Sequence, residues 1–192
     1  MMIYFGSSRI IDTKGEVSMG SGLWYRENNE QNTALKIELK NPTCQIGELA
    51  GICWAVKMEP LHSKLHLTGN SELIIHGLMR NLCKWEAKGY IWITYKELFR
   101  AIVAALRART APTTFQWIKA HCKVKGNEKA NALAKEGAAK IMPDELDLNI
   151  DPKLNLTGAK LLELSQALAY EGICEQKHLK YKRGLDMMLD IA

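Results

Sequence analysis

Trp117-Ile118-Lys119-Ala120-His121, followed by Lys125-Gly126-Asn127-Glu128-Lys129-Ala130-Asn131-Ala132-Leu133-Ala134, is the stretch on which the fold turns. Thr114 to Lys119 is β-branched and aromatic and reads as a strand. Gly126-Asn127-Glu128 opens a helix, rich in Ala and Lys, that runs through Ala139. Only a short loop separates the two. A strand passing directly into a helix here implies alternating β and α elements around one sheet.

The chain upstream fits that arrangement. Met2 to Ile10 reads as a strand, Asp12-Thr13-Lys14-Gly15 as a turn, and Ser18 to Arg26 as a second strand. Thr33 to Leu39 alternates apolar and charged residues, as a half-buried third strand does. Short turns between these strands make an antiparallel meander. The period then changes to that of a helix from Gln45 to Met58, which Pro60 stops. Lys64 to Thr68 is a short fourth strand. Ser71 to Trp85 reads as one helix with Leu73, Ile74, Gly77, Leu78 and Leu82 on its apolar face, and Tyr95 to Arg107 as another. The expected order, βββ-α-β-α-α-β-α, gives an α/β fold with a five-stranded mixed sheet flanked by helices.

A different texture follows. Pro143 to Pro152 is acidic and Pro-flanked and reads as a linker. Leu161, Leu164, Leu168 and Ala169 then sit at helical spacing, with Thr157 as the expected N-cap. Gln176 to Arg183 is a basic cluster. The expected division is a domain over 1–141 and a linker with a C-terminal helical extension over 142–192. The apolar stripe of that extension is expected on the domain's own core, on a protein partner, or on a second copy.

Composition narrows the classes. With 47% hydrophobic and 24% charged residues the chain is an ordinary globular protein, neither disordered nor collagen-like. A net charge of +5 permits contact with a polyanion without demanding it. The five cysteines are scattered and form no CxxC pair, which suits reduced, buried or half-buried thiols better than disulfides or a zinc site. No stretch reads as a signal peptide or a bilayer span, so an intracellular location and no membrane partner are expected; nucleus and cytoplasm are not distinguished.

Four motifs together resemble type 1 ribonuclease H. The opening stretch matches the family's W-[VI]-K-x-H, loop, G-N-x-x-A-D-x-L-A signature. Gln45-Ile46-Gly47-Glu48-Leu49-Ala50 resembles the helix that carries its catalytic glutamate. Leu67-Thr68-Gly69-Asn70-Ser71 resembles the strand end with Asp-Ser, and Ile3-Tyr4-Phe5-Gly6-Ser7-Ser8 the opening strand that ends in T-D-G-S. The resemblance covers roughly residues 1 to 140. Two further segments, Arg107 to Phe115 and Leu156-Thr157-Gly158-Ala159-Lys160-Leu161 with Gln166-Ala167-Leu168-Ala169-Tyr170, are similar to fungal, retroelement-derived relatives.

The resemblance implies hydrolysis of the RNA strand of RNA/DNA hybrids by two Mg²⁺ ions held between four carboxylates. Residue by residue, the first position falls at Gly6 (at Phe5 after a one-residue slip), the second at Glu48, the third at Asn70 and the fourth at Asn131. Only Glu48 is an acid, so Mg²⁺ is expected to bind weakly or not at all. His121 matches the loop histidine that assists product departure. Gln45, Ser71, Lys84, Trp85 and Lys88 match positions that contact the hybrid, with Cys44 where Asn is common and Tyr90 where Trp is common. Read without the family, Glu48 is an exposed helix glutamate, Asn70 and Asn131 are capping or solvated amides, His121 is a surface histidine, Gly6 serves a strand bulge, and Trp85 packs a helix end. The expected function is nucleic-acid binding, to RNA/DNA hybrid or double-stranded RNA, without catalysis. The alternatives are an interaction or scaffold domain and a residually active Mg²⁺-dependent ribonuclease.

Overall fold

The structure, a computed structural model, describes residues 1–11, 13, 15–38, 43–120 and 122–189, with side chains through His178. Parts of the expected Asp12–Gly15 turn, the end of the third strand at Leu39, and the side chains of the basic cluster beyond His178 lie outside the described residues.

Strands β1 (Met2–Ile11), β2 (Val17–Trp24) and β3 (Thr33–Ile37) form the antiparallel meander. Strands β4 (Leu65–Gly69) and β5 (Thr113–Trp117) extend the sheet in parallel from the other side of β1. Among the described residues the order is β3-β2-β1-β4-β5, a five-stranded mixed sheet. Helix α1 (Cys44–Met58) packs on one face and α5 (Lys125–Ala139) on the other. Thr43 caps α1, its Oγ1 accepting from the N–H of Ile46 at 3.4 Å.

Small residues set both packing distances. On β2, a Cβ at Gly20 or Gly22 would strike the α5 backbone at the carbonyls of Ala134 and Ala130. On the opposite face, a Cβ at Gly47 of α1 would lie 2.8 Å from that of Ser7. The Ala-rich face of α5 is therefore the face that lets a helix backbone rest directly on a strand, with Ala130, Ala134 and Ala138 fully buried there.

Two expected elements differ. The helical run from Ser71 is not uniform: α2 (Glu72–His76) passes through a π-turn at Gly77–Asn81 into α3 (Leu82–Ala87). Ile74, Ile75 and Leu78 are buried while Leu73 is exposed. Helix α4 (Lys96–Ala108) follows. In the C-terminal part Thr157 caps nothing. Leu161–Glu163 is a single 3₁₀ turn, and α6 (Gln166–Leu189) begins later, with Ser165 Oγ accepting from the N–H of Leu168 at 3.2 Å. Of the expected stripe, Leu168 is buried and Leu161 and Leu164 are exposed. The thiols also differ from expectation: all five are free, but Cys44, Cys83 and Cys122 are exposed.

The chain divides into two compact units, Met1–Arg80 with Glu97–Asn155, and Asn81–Lys96 with Leu156–Ala192. The segment expected as a linker is tied along the first unit. Asp144 exchanges hydrogen bonds with Lys36 of β3, its carboxylate accepting from the Lys36 N–H at 2.7 Å and its own N–H donating to the Lys36 carbonyl at 2.9 Å. Further on, Lys57 of α1 pairs with Asp147 at 2.8 Å and donates to the carbonyl of Asn149 at 2.7 Å.

Arg109, just past α4, is the polar centre of this unit. Its buried guanidinium donates to four carbonyls, those of Val56 (3.2 Å), Glu59 (3.1 Å), Pro60 (3.0 Å) and Ser63 (2.6 Å). The end of α1 and the turn into β4 are thus fastened by one side chain. Glu59 is buried beside it and accepts the Tyr25 hydroxyl at 2.6 Å. Removing Arg109 strands these acceptors, so Arg109→Ala is expected to cost about 3 kcal/mol. Arg109→Lys should recover little, because one ammonium cannot span the fork. Thermal melting followed by circular dichroism checks both; an unchanged midpoint in the alanine variant would contradict this role.

Candidate active site and nucleic-acid interface

The alternation of β1 sorts the opening motif onto the two faces of the sheet. Phe5 and Ser7 face α1: Phe5 is fully buried, with Gly69 close against its ring, and Ser7 meets Gly47. Tyr4 and Gly6 face α5. Tyr4 packs beside Trp24 with ring centres 5.7 Å apart, and Gly126 at the start of α5 rests on its ring. Gly6 lies under Asn131, and a Cβ there would overlap the Asn131 amide oxygen. The space a side chain at position 6 would need is therefore filled by Asn131.

Strand pairing brings the third position alongside. Tyr4 of β1 pairs with Thr68 of β4 in parallel register. Two residues further on come Gly6, within β1, and Asn70, just past the end of β4. The indole of Trp117 on β5 donates to the Asn70 carbonyl at 3.2 Å, and the N–H of Ile118 donates to the Gly69 carbonyl at 2.9 Å. The end of β4 is thus tied to β5 and the residue that follows it. The pinning by Trp117 is a contact that the motif does not announce, although the tryptophan itself stands in it.

Glu48 reaches the residue that follows Asn70 from the α1 side. Its carboxyl is buried and hydrogen-bonds with Ser71, the residue after Asn70. It is not the exposed glutamate that its helix position alone suggests. Burial raises its proton affinity above the ordinary carboxylate range, while the Ser71 hydrogen bond pulls the other way. Gln45 and Cys44, in the first turn of α1, are both exposed. His121 lies outside the described residues.

This donor set does not fit a pair of magnesium ions. Two such ions carry +4, and hard cations need anionic oxygens to replace tightly held water. Here one carboxylate, already engaged by Ser71, stands with the neutral amides of Asn70 and Asn131, and Asn131 fills the place beside Gly6. Among the described residues no three His, Cys, Asp or Glu side chains are grouped as a metal site would require.

The remaining expected contacts lie in the second unit. Lys84 and Lys88 are exposed, on and just after α3, and Trp85 is half-buried between them in sequence. Tyr90 does not occupy an open position. It is buried in a left-handed conformation (φ 56°), its N–H donating to the Trp85 carbonyl at 2.8 Å.

The fold is shared with known proteins. The RNase H family model matches residues 1–139, and the chain belongs to that family. Similar solved structures include the foamy viral protease-reverse transcriptase in complex with dsDNA (17% identity, 72% of this chain and 93% of that one, TM-score 0.61). The same viral protein in complex with RNA/DNA hybrid is also similar (18% identity, 72% of this chain but 20% of that one, TM-score 0.57). So is LC9-RNase H1, a type 1 RNase H with the type 2 active-site motif (17% identity, 89% of this chain and 83% of that one, TM-score 0.59). No curated protein matches the chain. At these identities the structures establish the shared fold.

The Glu48 environment predicts a pH-dependent stability. A carboxyl raised on folding holds its proton more tightly in the folded chain than in the unfolded one. Its contribution to stability is therefore lost as pH rises from the ordinary carboxylate range through the folded value. Glu48→Gln keeps a partner for Ser71 and cannot ionise. That variant is expected to melt above the parent at about pH 7 and level with it at about pH 3.5, below the usual carboxylate value. Melting curves at the two pH values check this; a variant that melts lower at neutral pH would count against it.

Proposed function

We propose that this RNase H-family domain binds nucleic acid, RNA/DNA hybrid first, without hydrolysing it. The observation that carries the reading is the centre itself. Glu48 stands where the family's second acid stands, and Gly6, Asn70 and Asn131 occupy the other three positions. The side chain of Asn131 fills the space where an acid at position 6 would project. With one carboxylate among these four positions, the pair of cations that would activate a water and steady the leaving oxygen lacks most of its anionic ligands.

The same substitutions alter how a phosphate meets the site. Four carboxylates repel a phosphodiester until cations neutralise them. Neutral amides do not, and each offers an N–H₂ donor. Binding is therefore expected to proceed without divalent ions. Lys84 and Lys88, both exposed, supply positive charge near Trp85 for the DNA strand, and Gln45 supplies an amide for 2′-hydroxyls. The solved relatives bound to dsDNA and to RNA/DNA hybrid support this choice of partner. The segments Arg107 to Phe115, Leu156 to Leu161 and Gln166 to Tyr170 support a fungal, retroelement-derived origin, and the reading takes the domain as intracellular.

A gel-shift series with RNA/DNA hybrid, double-stranded RNA and double-stranded DNA at two salt concentrations tests binding, with chelator or Mg²⁺ in parallel. Hybrid affinity is expected to be unchanged by chelator and to fall with salt by roughly 0.9 log units per log unit of salt for each phosphate contacted. The double variant Lys84→Ala, Trp85→Ala is expected to bind at least about tenfold more weakly. A cleavage assay with Mg²⁺ or Mn²⁺ should give no product; RNA-strand cleavage abolished by Glu48→Gln would overturn the inactive reading. A parent chain that binds none of the duplexes would sink the binding role. An interaction role, favoured by the exposed Leu161 and Leu162, would then replace it.

A further inference from the structure

The second compact unit joins two stretches far apart in sequence, Asn81–Lys96 and the C-terminal tail from Leu156. The first stretch holds the lysines and tryptophan assigned above to nucleic-acid contact. It ends in a loop, residues 88–95, with unusual backbone geometry. Tyr90, Trp92 and Tyr95 all adopt the left-handed conformation (φ 56°, 59° and 60°), as does Gly89 (φ 67°). Bulky side chains disfavour that region, since Cβ crowds the backbone there. Three such residues in one loop call for restraint from outside it.

The tail provides that restraint. The N–H of Lys160 donates to the Ala87 carbonyl at 2.8 Å, and Gly89 sits so close to Gly158 and Ala159 that a Cβ would lie 2.7 Å from their backbone. On α6, Gly172 leaves room for Ile91, and the ring of His178 meets Trp92 edge-on at 6.2 Å. The strongest tie is Glu175. One carboxylate oxygen accepts from the Trp92 N–H at 2.8 Å, and the other pairs with Lys96 at 2.9 Å. Its side chain is only 14% exposed, so solvent screens the pair weakly. Glu175 thus fastens the loop at its strained middle and at its exit into α4. Trp92, held there, leaves half of its surface in solvent.

We infer that the C-terminal tail is part of the nucleic-acid grip. Glu175 is a positioning residue that holds loop 88–95, and with it Trp92, in the shape that meets the nucleic-acid backbone and its stacked bases. An exposed indole is what single strands and duplex edges stack against. The inference rests on the binding role proposed above, and the controls separate the two.

The test uses the full chain and an RNA/DNA hybrid probe. In Glu175→Ala, amide hydrogen exchange over residues 89–96 is expected to quicken while that of β1 and β2 does not change. Hybrid affinity is expected to fall about tenfold, as the loss of hydrogen bonds to a charged group implies. Glu175→Gln keeps an acceptor for the Trp92 N–H and should restore most of the affinity. Trp92→Ala should weaken binding with exchange in the core unchanged. Quickened exchange at unchanged affinity, or exchange that does not respond, overturns the inference. If Lys84→Ala, Trp85→Ala loses affinity while Glu175→Ala keeps it, the grip stands and the tail's part in it falls. A parent that does not bind the hybrid removes both.

Discussion

The close approach of α5 to β2 is the constraint on which the rest of the first unit depends. Gly20 and Gly22 present bare backbone to the carbonyls of Ala134 and Ala130. A helix seated this near the sheet has little freedom to slide or roll, because any Cβ on either glycine would lift it. Its depth brings Asn131 down onto Gly6 and Gly126 onto Tyr4. Gly47 sets the matching distance for α1 on the other face and so carries Glu48 to Ser71. The candidate centre is the place where two such seatings converge with the end of β4.

That geometry makes positions 6 and 131 interdependent. An aspartate at 6 would project into the volume that the Asn131 amide now occupies, so the amide must turn away before the carboxylate can fit. The volume that a side chain at position 6 would need is taken up by the side chain of Asn131.

Much of the architecture was legible in the sequence because local patterns decide it. Alternation marks β1 and β3, and the change of period marks α1 and α5. The motif order placed Glu48, Asn70 and Asn131 on elements that meet. What escaped was set by contacts remote in sequence. The π-turn at Gly77–Asn81 interrupts a run that reads as one uniform helix. Thr157 has a capping residue's chemistry, yet the chain enters α6 at Ser165. The local pattern does not mark Arg109, whose role appears only when the four carbonyls around it come together from another part of the chain. Glu175 was hidden likewise, since its partners Trp92 and Lys96 lie about eighty residues earlier.

The segment that runs past β3 has one more effect. A strand at the rim of a sheet offers unsatisfied amides and carbonyls to any extended peptide, which is how sheets grow from one molecule into the next. At Lys36 both groups are already taken by Asp144, and the lysine ammonium is turned to the carbonyls of Lys140 and Ile141. At Lys36 this rim is therefore closed to strand addition by the chain's own acidic segment. At the opposite rim, β5, the Trp117 side chain is exposed. A foreign strand recruited on that side would lie next to the indole that holds Asn70 in place.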